Sequence, residues 1–197
     1  SPEEIKELTK SKGINLEEEG NRFVYLFERE NGQKAFLRIY DDNQRDPFEA
    51  QISSALKTMV VKAPMVAFVT GHGERDIYKG GERDYSAFAK NLTFRYSLIN
   101  QGFRVSTLDL KADTAAVDIA EDIDVLVIAD VREAYTPEEV AKVQRFLARG
   151  GDLIIACEPR RQSLMNPLVE KVGITFMPGT VVEETQGYAA NQLFLDP

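Results

Sequence analysis

A chain of 197 residues, 43% of them hydrophobic, can bury one good core without metals or disulfides to hold it together. Its 32 acidic and 24 basic residues give a net charge of -8, which disfavours binding to nucleic acid or to an anionic membrane surface. The single cysteine, Cys157, excludes an intramolecular disulfide and leaves the redox compartment open.

No membrane span or secretion signal is visible in the sequence. Every apolar run is shorter than the roughly 18 residues that a membrane helix needs, and the start lacks the features of a signal peptide. The sequence begins at Ser1 without a methionine and ends at Pro197, directly after the apolar stretch Leu193-Phe194-Leu195. We therefore expect a fragment of a longer polypeptide, with any membrane anchor outside these residues.

The beginning of the chain has the pattern of a helix followed by a β-hairpin. Residues 1–20 are charged and weakly patterned, which favours a frayed helix that ends in a turn at Gly13. Residues 23–27 and 34–40 are rich in aromatic and branched side chains. They flank Asn31-Gly32, a dipeptide typical of tight hairpin turns, so we predict a hairpin here.

A capped helix is predicted after the hairpin. Asp46-Pro47-Phe48-Glu49 offers an N-cap, a first-turn proline and a capping-box glutamate, which predicts a helix over residues 47–60. Its apolar face contains Ile52, Ala55, Leu56 and Met59. We expect residues 1–62 to form an N-terminal appendage of hairpin and helix, joined in one compact unit to an α/β domain over residues 63–197.

From Pro64 onward, strand and helix patterns alternate, as in βαβ units. The continuous apolar run over residues 65–70 is typical of a strand buried on both faces. The five predicted strands cover residues 65–70, 103–108, 125–129, 153–157 and 174–177. The predicted fold class is α/β: a doubly wound, mainly parallel, flavodoxin-like three-layer sandwich with strand order 2-1-3-4-5 and an N-terminal β-hairpin and helix.

Three helices are predicted between these strands. The first covers residues 85–99, where apolar side chains recur at helical spacing up to Gly102. Thr136-Pro137-Glu138-Glu139 caps the second, which Gly150-Gly151 ends. The third is short and runs from Asn166-Pro167 to residue 172.

The carboxyl ends of the predicted strands are the best place to look for a site, because ligands of open parallel sheets bind there. The polar residues and glycines that follow the strands are Gly71, His72, Gly73, Glu74, Arg75, Asp109, Asp130, Arg132, Glu158, Arg160 and Arg161. If the first and third strands are neighbours, His72, Glu74, Asp130 and Arg132 share one crevice. We take this edge as a candidate ligand-binding or partner-binding site.

Two interpretations of these residues are open. The glycines around His72 let the backbone turn sharply and leave amides and an imidazole free for a polar ligand. Alternatively, the glycines only permit the turn, while His72 and Glu74 bond to loop backbone. In the same way, a salt bridge between Asp130 and Arg132 that fixes the loop is an alternative to a ligand contact.

The residue inventory gives little support to known catalytic chemistries. Zinc needs three or four His, Cys or carboxylate ligands, and the single His and single Cys follow strands that are not neighbours. Cys157 lacks the flanking small residues of a nucleophile elbow, so we interpret it as a buried, inert thiol. The glycine-rich motifs of nucleotide-binding loops are also missing. We predict no catalytic residue, no metal and no cofactor.

The ordered motifs resemble a known family. Residues 64–74 have the sequence PMVAFVTGHGE and are preceded at 48–56 by FEAQISSAL. This pair is similar to the gliding-motility type of ABC-transporter auxiliary component, in which such a helix leads into a strand that ends in Gly-His-Gly-Glu. The later similarities, up to about residue 180, are Gly102-Phe103-Arg104-Val105, Leu108-Asp109-Leu110, residues 124–129, residues 150–155 and Glu158-Pro159.

The resemblance implies a bacterial domain related in fold to the class I glutamine-amidotransferase-like group. It implies a location on the extracytoplasmic, periplasmic face of the inner membrane, between membrane helices, beside a permease and an ATPase. Only Gly71, His72, Gly73 and Glu74 correspond to the characteristic motif, and the resemblance assigns them no catalytic role. Glu158-Pro159 stands where the family often has Asp-Pro, and Val131-Arg132 stands where a proline is common.

Three functions are compared on this basis. The first is a non-enzymatic auxiliary or ligand-binding domain of an ABC transport system that assembles with permease and ATPase subunits, as a homo- or hetero-oligomer. The second is a hydrolase or amidotransferase-like enzyme that uses His72 and Glu74 as acid and base. The third is a small-molecule sensor in which Arg132 and Arg160 hold a carboxylate.

Overall fold

The N-terminal part of the computed structural model contains two helices and a hairpin. In chain order they are helix α1 (Pro2–Ser11), strands β1 (Val24–Glu28) and β2 (Lys34–Arg38), and helix α2 (Glu49–Val60). The structure describes residues 1–15, 24–40, 46–78, 81, 84–111, 118–179, 181–182, 187 and 189. Residue 23 of the predicted hairpin and the apolar stretch 193–195 lie outside these ranges.

The first helix and the hairpin confirm the sequence predictions. Ser1 caps α1 through the backbone amide of Glu4, and Gly13 follows with a φ of +71°. Strands β1 and β2 pair antiparallel, and Gly32 occupies the turn with a φ of +82°. Only a residue without a Cβ adopts such a φ without strain, which explains the Asn-Gly signal.

Helix α2 begins two residues later than the capping motif indicates. Phe48 has extended backbone angles, φ -77° and ψ 158°, so the helix begins at Glu49. The Oε1 atom of Gln51 accepts a hydrogen bond of 2.7 Å from the Phe48 amide and takes the part that was predicted for Glu49. The apolar face of α2 packs on β2 and forms a small core of Ala35, Leu37, Ala55 and Met59.

The second part of the chain forms a four-stranded parallel sheet. Its strands are β3 (Met65–Thr70), β4 (Arg104–Asp109), β5 (Val125–Ala129) and β6 (Asp152–Ala156), in the spatial order β4-β3-β5-β6. The register aligns Val66 with both Val105 and Val125. The predicted order is therefore confirmed for the first four strands. It brings the ends of β3 and β5 side by side.

Helices cover both faces of this sheet. They are α3 (Ser86–Lys90) with the 3₁₀ helix Leu98–Gln101, α4 (Pro137–Ala148), and α5 (Gln162–Val169) with the 3₁₀ helix Glu170–Val172. Alternate residues of β3 point to opposite faces, so Ala67 and Val69 join the core under α4 and α5, while Phe68 joins the core under α3. Both cores are apolar, as the unbroken hydrophobic runs of β3 and β5 predict.

The predicted helix over residues 85–99 is wrong, because α3 ends at Lys90. The side chain of Asn91 accepts a hydrogen bond from the Thr93 amide at 2.8 Å, which closes a local turn. The Nδ2 atom of Asn100 also donates to the carbonyl oxygens of Asn91, Leu92 and Phe94. These side-chain contacts satisfy backbone groups that a continuous helix would pair internally, so the helix stops.

The predicted fifth strand over residues 174–177 is also wrong. The side chain of Asn166 accepts a hydrogen bond from the Phe176 amide at 2.8 Å, and Gln162 donates to the Met177 carbonyl at 3.3 Å. Backbone groups of this segment therefore bond to α5 instead of extending the sheet. The side chains of Ile174 and Met177 are exposed.

Helix α5 begins at Gln162, earlier than the predicted start at Asn166, and it contains Pro167 in its interior. The amide of Met165 already bonds to the Arg161 carbonyl, so the first turn forms before the proline. In the described part of the chain, none of the helices combines the length and apolar character that crossing a bilayer requires. The division into parts 1–62 and 63–197 stays a prediction.

Candidate functional site

The loop after β3 turns sharply at two glycines. Gly71 has a φ of +111° and Gly73 a φ of +75°, both in the region that favours glycine. A Cβ on Gly71 would lie 2.5 Å from Oδ1 of Asp109, and a Cβ on Gly73 would lie 3.0 Å from the Cβ of Arg132. Glycine is therefore required here both for the backbone angles and for the close approach of the neighbouring loops.

This turn places His72 inside the protein between two carboxylates. The residue is 1% exposed, and Glu74 is 0% exposed. The Nε2 atom of His72 lies 3.1 Å from Oε2 of Glu139 on α4, while Nδ1 lies 3.6 Å from Oε1 of Glu74. The first distance fits a tautomer that donates from Nε2 to Glu139. Among the described residues, Nδ1 has no hydrogen-bond partner.

The two carboxylates are bonded on their other sides as well. Glu74 accepts hydrogen bonds from the His72 amide at 2.6 Å and from the Tyr135 hydroxyl at 2.5 Å. Glu139 accepts hydrogen bonds from the amide and the hydroxyl of Thr136, at 2.7 and 3.0 Å. Glu139 therefore completes the capping box of α4 and binds His72 at the same time. We call His72, Glu74, Tyr135 and Glu139 the buried quartet.

The half-buried side chain of Tyr135 packs against the His72 ring. Its ring centroid lies 4.3 Å from that of His72. Burial, followed by the charge of Glu74, raises the pKa of Tyr135 above its ordinary value, so its hydroxyl remains a donor. The imidazole and both carboxylates thus have their contacts inside the protein.

The backbone around His72 fastens two strand ends together. The carbonyl oxygen of His72 accepts hydrogen bonds from the amides of Arg132 at 2.9 Å and Glu133 at 3.1 Å, and the Arg75 amide bonds to the Ala129 carbonyl at 2.9 Å. These contacts join the loop after β3 to the loop after β5. The arrangement agrees with the interpretation that Gly71-His72-Gly73-Glu74 shapes and fixes the rim of the sheet.

A second polar cluster lies at the ends of β5 and β6. Arg75 contacts Oε1 of Glu158 at 2.8 Å, and this hydrogen bond raises the pKa of Arg75. Asp130, which is buried and has a φ of +49°, lies 4.0 Å from the guanidinium groups of both Arg75 and Arg161. We call Arg75, Asp130, Glu158 and Arg161 the rim cluster.

The predicted salt bridge between Asp130 and Arg132 is wrong. Arg132 is exposed, and its aliphatic carbons lie beside Gly73, while the ion pairs of Asp130 involve other arginines. Asp130 has a left-handed backbone conformation, which aspartate tolerates better than most residues. Arg160 also has a positive φ, +68°, and its side chain is exposed.

Cys157 is partly exposed, so the prediction of a buried thiol is only partly met. Its Sγ atom lies 3.4 Å from the Glu158 carbonyl. Desolvation raises the pKa of the Cys157 thiol, and the charges of Asp130 and Glu158 raise it further. A raised pKa lowers the fraction of reactive thiolate. The polar contacts of His72 are to Glu74 and Glu139, and not to this cysteine.

Sequence analysis placed most of these residues correctly but missed Tyr135 and Glu139. His72 and Glu74 come together with each other, as predicted, whereas Asp130 and Arg132 belong to different surroundings. The sequence predicts Glu139 only as a capping residue. Its position in the first turn of α4, directly after the β5 loop, is the signal that could have indicated its contact with His72. In the part of the chain that the structure describes, no group of three His, Cys, Asp or Glu side chains is arranged to hold a metal ion.

The comparison with protein families gives a match. Residues 63–192, more than half of the chain, match the family described as ABC-type uncharacterized transport system, an auxiliary component of ABC transport. The helix motif at 48–56 lies outside the matched range. Neither the comparison with curated proteins nor that with solved structures gives a match. The four strands and the Gly71-His72-Gly73-Glu74 loop all lie within residues 63–192, and the chain belongs to this ABC transport auxiliary family.

Proposed function

We propose that this chain is a non-catalytic, extracytoplasmic auxiliary domain of a bacterial ABC transport system of the gliding-motility type. In this proposal it works on the periplasmic face of the inner membrane beside a permease and an ATPase, held by membrane helices outside these residues. Family membership supports the transport role. The ordered motifs around Gly71-His72-Gly73-Glu74 support the gliding-motility type and a flavodoxin-like, glutamine-amidotransferase-like arrangement of the sheet.

The observation that carries the non-catalytic role is the burial of the only histidine. His72 and Glu74 are 1% and 0% exposed, and both are engaged by other members of the buried quartet. A general acid or base must come within hydrogen-bond reach of a substrate atom. In this arrangement Glu139 and Tyr135 occupy the positions beside the imidazole that a substrate would need.

The exposed residues of the rim are the part that a partner subunit meets in this proposal. Arg132, Glu158 and Arg160 project from the same edge of the sheet and are exposed. The loop after β3 holds the loop that carries Arg132, because the His72 carbonyl accepts hydrogen bonds from the amides of Arg132 and Glu133. Rigid loops that present charged side chains give specificity in protein association.

Co-purification tests the transport role. The full-length gene product is expressed in membranes with the permease and ATPase subunits encoded beside it, and a tag on the ATPase is used for purification in detergent. We expect the auxiliary protein in the complex, and we expect the double variant Arg132→Glu with Arg160→Glu to reduce its yield. Lys6→Glu with Lys10→Glu, on exposed helix α1, is the matched control because it reverses the same number of charges. A chain that never co-purifies, although all subunits reach the membrane, contradicts the proposal.

Location and chemistry are tested separately. Protease added to intact spheroplasts should digest this domain; protection there, with digestion only in inverted vesicles, contradicts the periplasmic location. Hydrolysis of ester, amide and glycoside substrates should be absent. Turnover that disappears in a His72→Gln variant with an unchanged circular dichroism spectrum would show that the domain is an enzyme.

A further inference from the structure

A cavity of about 370 Å³ lies between the N-terminal hairpin and helix and the main sheet. Its walls come from β2, from the polar side of α2, from the 3₁₀ helix Leu98–Gln101 and from the beginning of β4. The beginning of β4 is at the opposite end of the sheet from the loop of His72. The cavity shares no residue with the buried quartet or the rim cluster, so it is separate from the candidate site described above.

The charge of the cavity is opposite to that of the chain. Three cationic side chains line it, those of Lys34, Arg38 and Arg104, and the described lining residues include no aspartate or glutamate. The whole chain has a net charge of -8. A concave surface lined by charges of one sign focuses the field and raises the local concentration of ions of the opposite sign. The cavity is therefore suited to an anion.

Arg104 has hydrogen-bonding capacity that the protein does not fill. Its Nε atom donates to the Ala63 carbonyl at 3.1 Å, and Nη1 lies 3.9 Å from the carboxylate of Asp122. The Arg104 side chain as a whole is 41% exposed, but its third nitrogen, Nη2, is buried and has no hydrogen-bond partner among the described residues. A buried donor without an acceptor is unfavourable. The planar fork of a guanidinium fits the two oxygens of a carboxylate or phosphate, so a bound anion would complete these contacts.

Arg38 is held in place on the facing wall. Its Nη1 atom donates to Oδ1 of Asn100 at 3.1 Å, and its guanidinium lies 5.3 Å from the ring centroid of Phe36. Asn100 is itself fixed by three hydrogen bonds from its Nδ2 atom to backbone carbonyls. A cation that is already ordered loses less conformational entropy when it binds a ligand.

We infer that this cavity binds a small organic anion that carries carboxylate or phosphate groups, through Arg38 and Arg104; the Lys34 ammonium lies 4.0 Å from Glu28 and donates to the Lys12 carbonyl instead. The volume corresponds to roughly a dozen water molecules and lies at the small end of ligand pockets. A bound anion would contact the hairpin and β4 together, and it would stabilise the docking of the N-terminal unit on the sheet. The inference is independent of the proposed transport role, which its failure would leave untouched.

Calorimetric titration of the complete chain tests this site. The probes are citrate and inorganic phosphate, with trimethyl citrate as the neutral control, at about 0.15 M salt so that long-range attraction is screened. We expect saturable binding of at least one anion and none of the ester. Arg38→Gln and Arg104→Gln should each weaken binding about tenfold or more, because each removes a charged hydrogen bond.

Arg132→Gln and Arg160→Gln are the matched controls, since they remove the same charge from the other end of the sheet and should leave the affinity unchanged. Arg104→Lys keeps the charge if the glutamine variant does not fold. In wild-type protein, amide chemical shifts should change on citrate addition in residues 34–38 and 100–104. Lack of saturable binding, binding that is insensitive to Arg38→Gln and Arg104→Gln, or shifts confined to the loop at Arg160 would overturn the inference.

Discussion

Replacing Tyr135 by phenylalanine removes one oxygen atom from the centre of the buried quartet. The hydroxyl donates a 2.5 Å hydrogen bond to Oε1 of Glu74, which is 0% exposed. The Nδ1 atom of His72 lies 3.6 Å from the same carboxylate oxygen, which is too far for a hydrogen bond. The substitution therefore leaves a buried carboxylate oxygen without a donor, while the ring still fills the same space.

The expected loss of stability follows from this geometry. Hydrogen bonds to charged groups contribute about 1.5–3 kcal/mol, and the complete burial of Glu74 favours the upper half of this range. The free energy of unfolding of domains of this size is about 5–15 kcal/mol, so this loss is a large fraction of the total stability. The melting temperature of Tyr135→Phe should fall by roughly 4–12 °C.

Urea unfolding followed by circular dichroism measures the change, with linear extrapolation to water. Tyr96→Phe, at a tyrosine that is 65% exposed, is the control and should stay within about 0.5 kcal/mol of wild type. A double-mutant cycle with Glu74→Gln should give a coupling energy of about 1–3 kcal/mol. If Tyr135→Phe is as stable as Tyr96→Phe, or if the cycle gives no coupling energy, the hydrogen bond between Tyr135 and Glu74 does not stabilise the rim.

Three further predictions concern neighbouring features. Burial and Glu74 raise the pKa of Tyr135, so its proton stabilises the native state below about pH 10, the unfolded pKa, and this stability is lost as the pH rises above that value. The urea midpoint of wild type should therefore fall more steeply between about pH 9 and 11 than that of Tyr135→Phe. Parallel slopes would contradict this prediction. A Cβ on Gly151 would lie 2.3 Å from the buried ring of Phe146, so Gly151→Ala should lower the free energy of unfolding in urea by about 1–3 kcal/mol. Phe146→Leu should partly relieve this clash, so the double variant should lose less stability than the sum of the two single variants. Strict additivity of the two changes would show that the clash is not the cause. The raised pKa of the Cys157 thiol should make it react with iodoacetamide at about pH 8 more slowly in the native protein than in urea. Equal rates would show that folding does not raise the thiol pKa.

The buried quartet changes how the Gly71-His72-Gly73-Glu74 motif is understood. A histidine beside two glycines after a strand suggests a ligand or a catalyst, yet its imidazole meets a glutamate of α4 and a tyrosine of the preceding loop. The same histidine binds the β5 loop through its carbonyl. The motif therefore stabilises the relative position of two strand ends.

Helix boundaries show where local patterns lose their predictive power. The Thr136 to Glu139 capping box predicted the start of α4 correctly, because the cap is satisfied by groups three residues apart. The apolar spacing from Tyr85 to Ile99 predicted one helix, but the side chain of Asn100 binds backbone carbonyls of residues 91, 92 and 94. Apolar periodicity indicates which side chains are buried. It does not indicate where a polar side chain forms hydrogen bonds to backbone groups and so ends a helix.

The sequence by itself determined the hairpin, the positions of the four strands along the chain, and the sharp turn at Gly71 and Gly73. Continuous apolar runs, Asn-Gly turns and positive φ angles depend on residues that are close in the chain, so their physics is local. Only the tertiary structure decided that residues 174–177 bond to α5 instead of joining the sheet, and that His72 is enclosed. The hydroxyl that closes the site comes from Tyr135, 61 residues from Glu74, and a contact of that range depends on how strands and helices pack.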